Sequence, residues 1–298
     1  MMTDSTTTLD LPAPAPVRCS DLLDTVFCGD NTKILSGFPA ECVDLVVTSP
    51  PYDNLRTYGE HSWNFDGLSS QLVRVLKPGG VIVWVVADAT VDGSETLTSM
   101  RQAIHFKDVC GLNIHDTMIY QKSNGGINGS NLAYLACWEY CFVMSKGRPK
   151  TLNLLRDRKN VMPAGTKLER TRRTVEGEKK VENVTRQEYG LRWNIWKYEC
   201  GAAVADDAAA FDHPAIFPDK LAKDHVLSWS NPGDLVLDPF SGSGTTCKAA
   251  KTLGRQFLGL EVNPDYCRLS EQRTAQEMLD LGHARAELYE GSSALCRQ

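Results

Sequence analysis

The chain has 298 residues, 42% hydrophobic and 23% charged, proportions ordinary for a soluble globular protein. That length supports one large α/β domain with an inserted module, and a core that needs no disulfide or metal staples. No stretch is long and apolar enough to span a membrane, the ten cysteines form no CxxC pair and the six histidines show no ligand spacing. These patterns argue against a membrane partner, a metal site and secretion, and point to a reducing cytoplasm.

Residues 1–20 are rich in Thr, Pro and Ala, carry no basic-then-apolar signal and read as a disordered arm. The run Val43-Asp44-Leu45-Val46-Val47 is a strand that enters Thr48-Ser49-Pro50-Pro51-Tyr52. Two successive prolines fix φ at about -65° and remove two N–H donors, so the loop is stiff and presents oxygens. Tyr52 adds a flat face; a rigid turn with Tyr52 as a packing residue is the alternative. The loop beyond it holds Arg56 and Trp63, and reads as closing on a ligand or packing on the core. A helix over residues 69–76, a turn at Lys77-Pro78-Gly79-Gly80 and a strand over 81–86 follow. Next come a helix over 96–109 and strands at 118–120 and 140–144. The apolar runs are continuous rather than alternating, as in strands buried on both faces of a parallel sheet.

Residues 146–198 break this pattern and read as an insertion projecting from the sheet. Residues 145–198 hold 15 Lys and Arg against 6 Asp and Glu, leaving 17 against 31 elsewhere, so the net charge of -5 hides a basic segment on an acidic body. Such a segment binds phosphates locally, or serves as a solvated, flexible insertion. An acidic, Ala-rich run over 202–210 reads as a surface linker. A helix over 220–230 leads to a strand at 235–237, which runs into Asp238-Pro239-Phe240-Ser241-Gly242-Ser243-Gly244-Thr245-Thr246. A helix over 245–253, a strand over 257–260 ending at Glu261, and a helix over 264–281 complete the pattern. Strand–helix alternation implies a doubly wound α/β sheet, which binds ligands at the carboxyl ends of its strands. The TSPPY loop, the DPFSGSGTT turn and Glu261 all sit at such ends.

A glycine-rich turn opening a helix offers close backbone approach and a positive dipole end to an anion. A phosphate-binding P-loop needs GxxxxGK followed by Ser or Thr, which is absent. A dinucleotide fingerprint needs a third Gly or Ala where Cys247 stands. S-adenosylmethionine fits better: its carboxylate meets the turn, and Glu261 on the next strand accepts from its ribose hydroxyls. The stiff loop of acceptors then suits an aromatic amino group, whose two hydrogens it holds while the nitrogen lone pair leaves conjugation and attacks a methyl group. A base in a duplex must be flipped out to reach such a pocket.

These residues resemble the β-group of DNA amino-methyltransferases over nearly the whole chain, from about Val26 to Leu281. The catalytic pattern of that family, Asp/Asn/Ser-Pro-Pro followed by an aromatic, is matched by Ser49, Pro50, Pro51 and Tyr52, and its F-x-G-x-G by Phe240, Gly242 and Gly244. The catalytic motif comes first, then a target-recognition region, then the cofactor motif, which is the order here. The resemblance implies a Rossmann-like, mostly parallel sheet. It implies that Ser49 and the Pro50 carbonyl bind the target amine and Tyr52 stacks on the base. Glu261 then holds the ribose, Asp30 lies near the adenine, and Phe217 and Pro218 of the segment His213-Pro214-Ala215-Ile216-Phe217-Pro218 pack along the cofactor. Thr48, Asp238, Pro239, Ser243, Thr245 and Thr246 complete the expected cofactor site.

Ser in the catalytic motif is most frequent in the family for cytosine N4, and Asp or Asn for adenine N6, so cytosine N4 is the expected target and adenine N6 the alternative. RNA or protein-amide methyltransferases carry NPPY and the reverse motif order. The expected organisation is a catalytic half over 21–145, a target-recognition insertion over 146–198, a cofactor half over 199–282 and a tail over 283–298. Arg56, Lys167, Arg170, Arg172, Arg173 and Arg192 are the expected contacts to double-stranded DNA, phosphate being the commoner partner of any one of them. The expected setting is a bacterial or phage-infected cytoplasm. A homodimer, a separate restriction endonuclease and a solitary or phage-borne enzyme are all compatible with it.

Overall fold

The computed structural model describes residues 23–51, 63–123, 134–173, 177, 179–199 and 218–275. Tyr52, Arg56, Phe217, the expected arm, the Ala-rich linker and the tail lie outside these residues. In chain order the first elements are β1 (Thr25–Cys28), α1 (Asn31–Ser36), β2 (Val43–Thr48), α2 (Phe65–Val75), β3 (Leu76–Val86), β4 (Thr90–Val91), β5 (Ser94–Glu95), α3 (Thr98–Asp108), β6 (Asn113–Lys122) and β7 (Trp138–Ser145). Then follow β8 (Arg158–Lys159), β9 (Lys167–Arg173), β10 (Lys179–Thr185), β11 (Tyr189–Gly190), β12 (Ile195–Tyr198), α4 (Asp219–Trp229), β13 (Leu235–Asp238), α5 (Thr245–Thr252), β14 (Gln256–Glu261) and α6 (Pro264–Ala275).

Eight strands form one sheet in the order β1-β14-β13-β2-β3-β7-β6-β12. Every neighbouring pair is parallel except the two that β7 makes, so β7 runs against the other seven. This is the expected Rossmann-like, doubly wound arrangement. Alternate residues of the apolar runs serve opposite faces. Leu45, Val47, Val81 and Val83 pack on Leu221 and Val226 of α4 and Ala249 of α5. Val46, Ile82 and Trp84 pack on Leu35, Leu68, Leu72 and Phe106 of α1 to α3. Trp84 is fully buried, and its indole N–H donates to Gln102 Oε1 at 2.8 Å. No helix among the described residues is long and apolar enough to cross a membrane.

Several boundaries differ from expectation, β6 for one beginning at Asn113 rather than residue 118, and two of them have a visible cause. Helix α2 begins at Phe65 rather than residue 69, because the Asn64 side chain accepts from Gly67 N at 3.1 Å and caps it there. Lys77-Pro78-Gly79-Gly80 is not a turn before a strand but the opening of β3. Its amides and carbonyls are used against the chain leaving β7: Gly79 N donates to Lys146 O at 2.7 Å, and Lys150 N to Gly79 O at 2.9 Å.

The basic segment contains an antiparallel hairpin, Lys167–Arg173 of β9 against Lys179–Thr185 of β10. Residues 195–198 do not project with it. They form β12, which pairs with β6 in the main sheet and buries Trp196 and Tyr198. Because β7 is antiparallel and β12 parallel, the chain leaves and re-enters the sheet at the amino ends of the parallel strands. The segment is rooted there on the end of α4, where Asn153 N donates to Ser228 O at 2.9 Å and the Asn153 side chain to Ser230 O at 3.1 Å.

Arg192 anchors this root. Its Nη1 donates to Asp224 Oδ2 at 2.7 Å and to Tyr198 Oη at 3.0 Å, and its Nε to Asp157 Oδ1 at 3.0 Å. Its guanidinium also lies over the Trp196 ring, 4.8 Å from the centroid. Two carboxylates thus balance Arg192 and the neighbouring Lys220, 3.1 Å from Asp224, so the structure places Arg192, an expected DNA contact, among the chain's own ion pairs. Beside them His225 stacks on Trp196 at 4.6 Å, and burial pushes its imidazole down to about 3, so it is a neutral packing ring. Asp224 is 1% exposed, so removing it leaves Arg192 partly buried and short of a partner. Asp224→Ala is expected to lower unfolding free energy by about 3 kcal/mol in urea titration. A loss under about 1 kcal/mol, the scale of a surface pair, would contradict the anchoring role.

Candidate active site

The sheet order β1-β14-β13-β2 sets four carboxyl strand ends side by side, at spacings of about 4.8 Å. Asp30 follows β1, Glu261 ends β14, Asp238 ends β13 and Thr48 ends β2. Segments 190 residues apart in sequence are joined there by one buried bond: Thr48 Oγ1 donates to Asp238 Oδ1 at 2.7 Å. The same carboxylate oxygen accepts from Phe240 N at 3.1 Å and so shapes the first step of the glycine-rich turn. From the other side Thr246 Oγ1 donates to Val47 O at 3.2 Å, tying the first turn of α5 to β2. Thr48 has no exposed surface and Asp238 is 5% exposed. Thr48, an expected cofactor-site residue, links the two motifs through this bond. Immediately beyond it, Ser49 is half-buried, Pro50 buried and Pro51 half-buried.

The turn after β13 has left-handed backbone at Gly242 (φ 48°) and Gly244 (φ 80°). A side chain at Gly244 is doubly barred, since its Cβ would lie 2.2 Å from Ser270 Oγ on α6. Cys247, standing where a dinucleotide fingerprint has glycine, packs its sulfur toward β14, where a Cβ on Gly259 would approach it to 2.9 Å. The small residue that close packing requires has moved to the strand. Glu261 accepts from Gly242 N at 2.9 Å through Oε2 and from Asn263 N at 2.8 Å through Oε1. Both bonds orient the carboxylate. Asp30 Oδ1 accepts from Lys33 N at 2.8 Å and caps α1, while Asn31 Nδ2 donates to Pro239 O at 3.1 Å and holds that cap beside the turn.

The turn offers fewer amides than expected. The N–H groups of Phe240, Ser241, Gly242 and Gly244 are used by Asp238, Leu260 O, Glu261 and Ser241 O. Ser243, Thr245 and Thr246 are buried. Ser243 and Thr245 face Arg273 of α6, which the sequence pattern did not mark: an arginine in a helix holding Arg268, Glu271 and Gln272 reads as one more exposed charge. Pro218 stands at the start of α4. Trp63 is a packing residue, edge-on to Phe240 at 5.0 Å and to Phe65 at 5.8 Å. Lys167 and Arg170 are exposed on β9, and Arg172 and Arg173 end that strand. Trp193 is exposed under Arg158, 5.1 Å from its ring centroid.

With this geometry in view, residues 43–272 match the family described as DNA methylase, N6_N4_Mtase. The chain belongs to this family. It is 50% identical over 236 residues, 78% of this chain and 88% of the relative, to the orphan methyltransferase M.BamHII of Bacillus amyloliquefaciens. It is 28% identical to the DNA adenine methyltransferase YhdJ of Escherichia coli K12, over 87% of this chain and 85% of that one. The PvuII DNA methyltransferase, cytosine-N4-specific, shares the fold with a TM-score of 0.61 at 19% identity, covering 90% of this chain and 91% of that chain. A DNA modification methylase of Thermus thermophilus, solved in complex with S-adenosyl-L-methionine, matches with a TM-score of 0.55 at 25% identity, over 86% and 97% of the two chains.

Burial lifts the Asp238 carboxyl to about 6 from its ordinary 3.8; the Glu261 charge adds to the rise, and hydrogen bonds from Thr48, Phe240 and Thr246 oppose it. A folded value above the unfolded one makes the contribution of this group full below pH 3.8 and lost as pH rises through about 6. The stability of the protein relative to its Asp238→Asn variant is therefore expected to fall between those two values, measured by urea unfolding across the range. A flat difference would show that Asp238 ionises as freely in the folded chain as in the unfolded one.

Proposed function

We propose that the protein transfers the methyl group of S-adenosyl-L-methionine to the exocyclic amino nitrogen of a flipped base in double-stranded DNA, cytosine N4 by virtue of Ser49. The observation that carries this reading is the buried Thr48–Asp238 bond, which holds the SPP loop against the glycine-rich turn. The donor set fits the cofactor. Oriented acids at the ends of neighbouring strands suit adenosine hydroxyl and amino groups, and the start of α5 suits a carboxylate. The Thermus thermophilus relative solved with that cofactor supports the same reading.

The cofactor supplies an electrophilic methyl group. The chain supplies the geometry. The Ser49 hydroxyl and the Pro50 carbonyl would accept hydrogen bonds from the two amino hydrogens, which leaves the nitrogen lone pair available to the methyl group; the cofactor's sulfur would leave as a neutral thioether and one amino proton would pass to solvent. Prolines 50 and 51 keep those acceptors fixed, so little reorganisation is left for the transition state. Glu261 receives the ribose, Asp30 lies toward the adenine, and Pro218 packs along the cofactor. Lys167, Arg170, Arg172 and Arg173 of the hairpin meet DNA phosphates, which makes that hairpin the core of the target-recognition region. A second reading, adenine N6, draws support from the similarity to YhdJ and from the identical chemistry of the two amines.

Ser49→Ala is expected to lower transfer of labelled methyl to DNA by about a hundredfold or more, as for loss of a preorganised polar group, with cofactor affinity unchanged. Wild-type turnover would remove Ser49 from the mechanism. Glu261→Ala is expected to weaken cofactor binding in calorimetry, and an unchanged affinity would refute the ribose contact.

A further inference from the structure

Arg273 lies on α6 and is 1% exposed. Its Nη1 donates to Ser243 O at 2.6 Å, Ser243 Oγ at 2.9 Å and Thr245 Oγ1 at 3.1 Å. Its Nη2 lies 3.6 Å from Asp219 Oδ1, on the first residue of α4, directly after the Phe217-Pro218 segment. One buried guanidinium thus joins α6, the glycine-rich turn and the start of α4.

The sign of this charge at this place is informative. The amino end of α5 already carries the positive end of a helix dipole, and Arg273 sets a full positive charge behind it. Burying like charges together is costly unless an anion returns the energy. Asp219 offsets part of the cost from one side. On the other side the turn has spent its Phe240, Ser241, Gly242 and Gly244 amides within the protein, so its attraction for an anion rests on field more than on direct donors. Hydrogen bonds to Ser243 and Thr245 join the guanidinium directly to the turn.

We propose that Arg273 is a positioning residue that makes the turn select the carboxylate of the cofactor's methionine end. This rests on the S-adenosylmethionine reading above. The test is calorimetric titration of the full chain with S-adenosylmethionine and with its decarboxylated analogue, which differs only in lacking the carboxylate. Wild type prefers the carboxylate form, and Arg273→Met reduces that preference about tenfold. Arg273→Lys, which keeps the charge, retains most of it. Equal weakening of both ligands by Arg273→Met overturns the proposal and leaves Arg273 a purely structural residue. Should Arg273→Met not fold, Asp219→Asn serves: removing the offsetting charge raises the preference, and an unchanged preference overturns the proposal. Failure of wild type to bind either ligand overturns the cofactor reading as well, so the two failures are distinct.

Discussion

One buried hydrogen bond organises the functional end of this molecule. Thr48 and Asp238 close the gap between the strand that ends in the SPP loop and the strand that ends in the glycine-rich turn. A hydrogen bond to a carboxyl is worth about 1.5–3 kcal/mol, and an unpaired buried carboxyl costs more. The bond is therefore strong enough to fix the relative height of two loops that transfer chemistry demands be held in register. It forms because β2 and β13 are neighbours, and they are neighbours because the sheet reverses direction of progress there. Packing supplies the rest: Val47 and Val236 share one core and Val46 and Leu237 the other, so neither strand can slide without exposing apolar surface.

Charge is arranged in two tiers around that link. Behind the turn, Arg273 and Asp219 are buried and paired. At the far end of the sheet, Arg192, Asp224 and Asp157 clamp the root of the basic segment, while its lysines and arginines on β9 and β10 extend beyond. The root lies at the amino ends of the parallel strands and the SPP loop at their carboxyl ends. Each hairpin strand has 7 residues, one more than the 6 of β2, the strand that leads into the SPP loop. A chain of net charge -5 thus separates an acidic catalytic body from a basic arm, with a neutralised joint between them.

What the sequence made legible is what is local. Leu45, Val46 and Val47 lead into Pro50 and Pro51, and Leu235 to Leu237 into Gly242 and Gly244, so strand, loop and ligand type can be read within ten residues. The long-range partners could not be read. Arg192 looks like a DNA contact because Asp157 and Asp224 stand 35 and 32 residues away. Arg273 looks like surface charge because its acceptors are on the far side of β14 in sequence. Thr48 carries a hydroxyl whose destination only the strand order reveals. Gly79 reads as a turn residue because its hydrogen-bond partners, Lys146 and Lys150, follow β7. Each of these cases concerns a polar group whose partner is distant in sequence, where apolar periodicity gives no guidance.

The central claim is methyl transfer to a particular nitrogen, and the most direct measurement is nucleoside mass spectrometry of unmodified DNA incubated with the protein and S-adenosylmethionine. The account predicts N4-methylcytosine. N6-methyladenine would retain the chemistry and reassign the base, and DNA without any methylated amine would contradict the account.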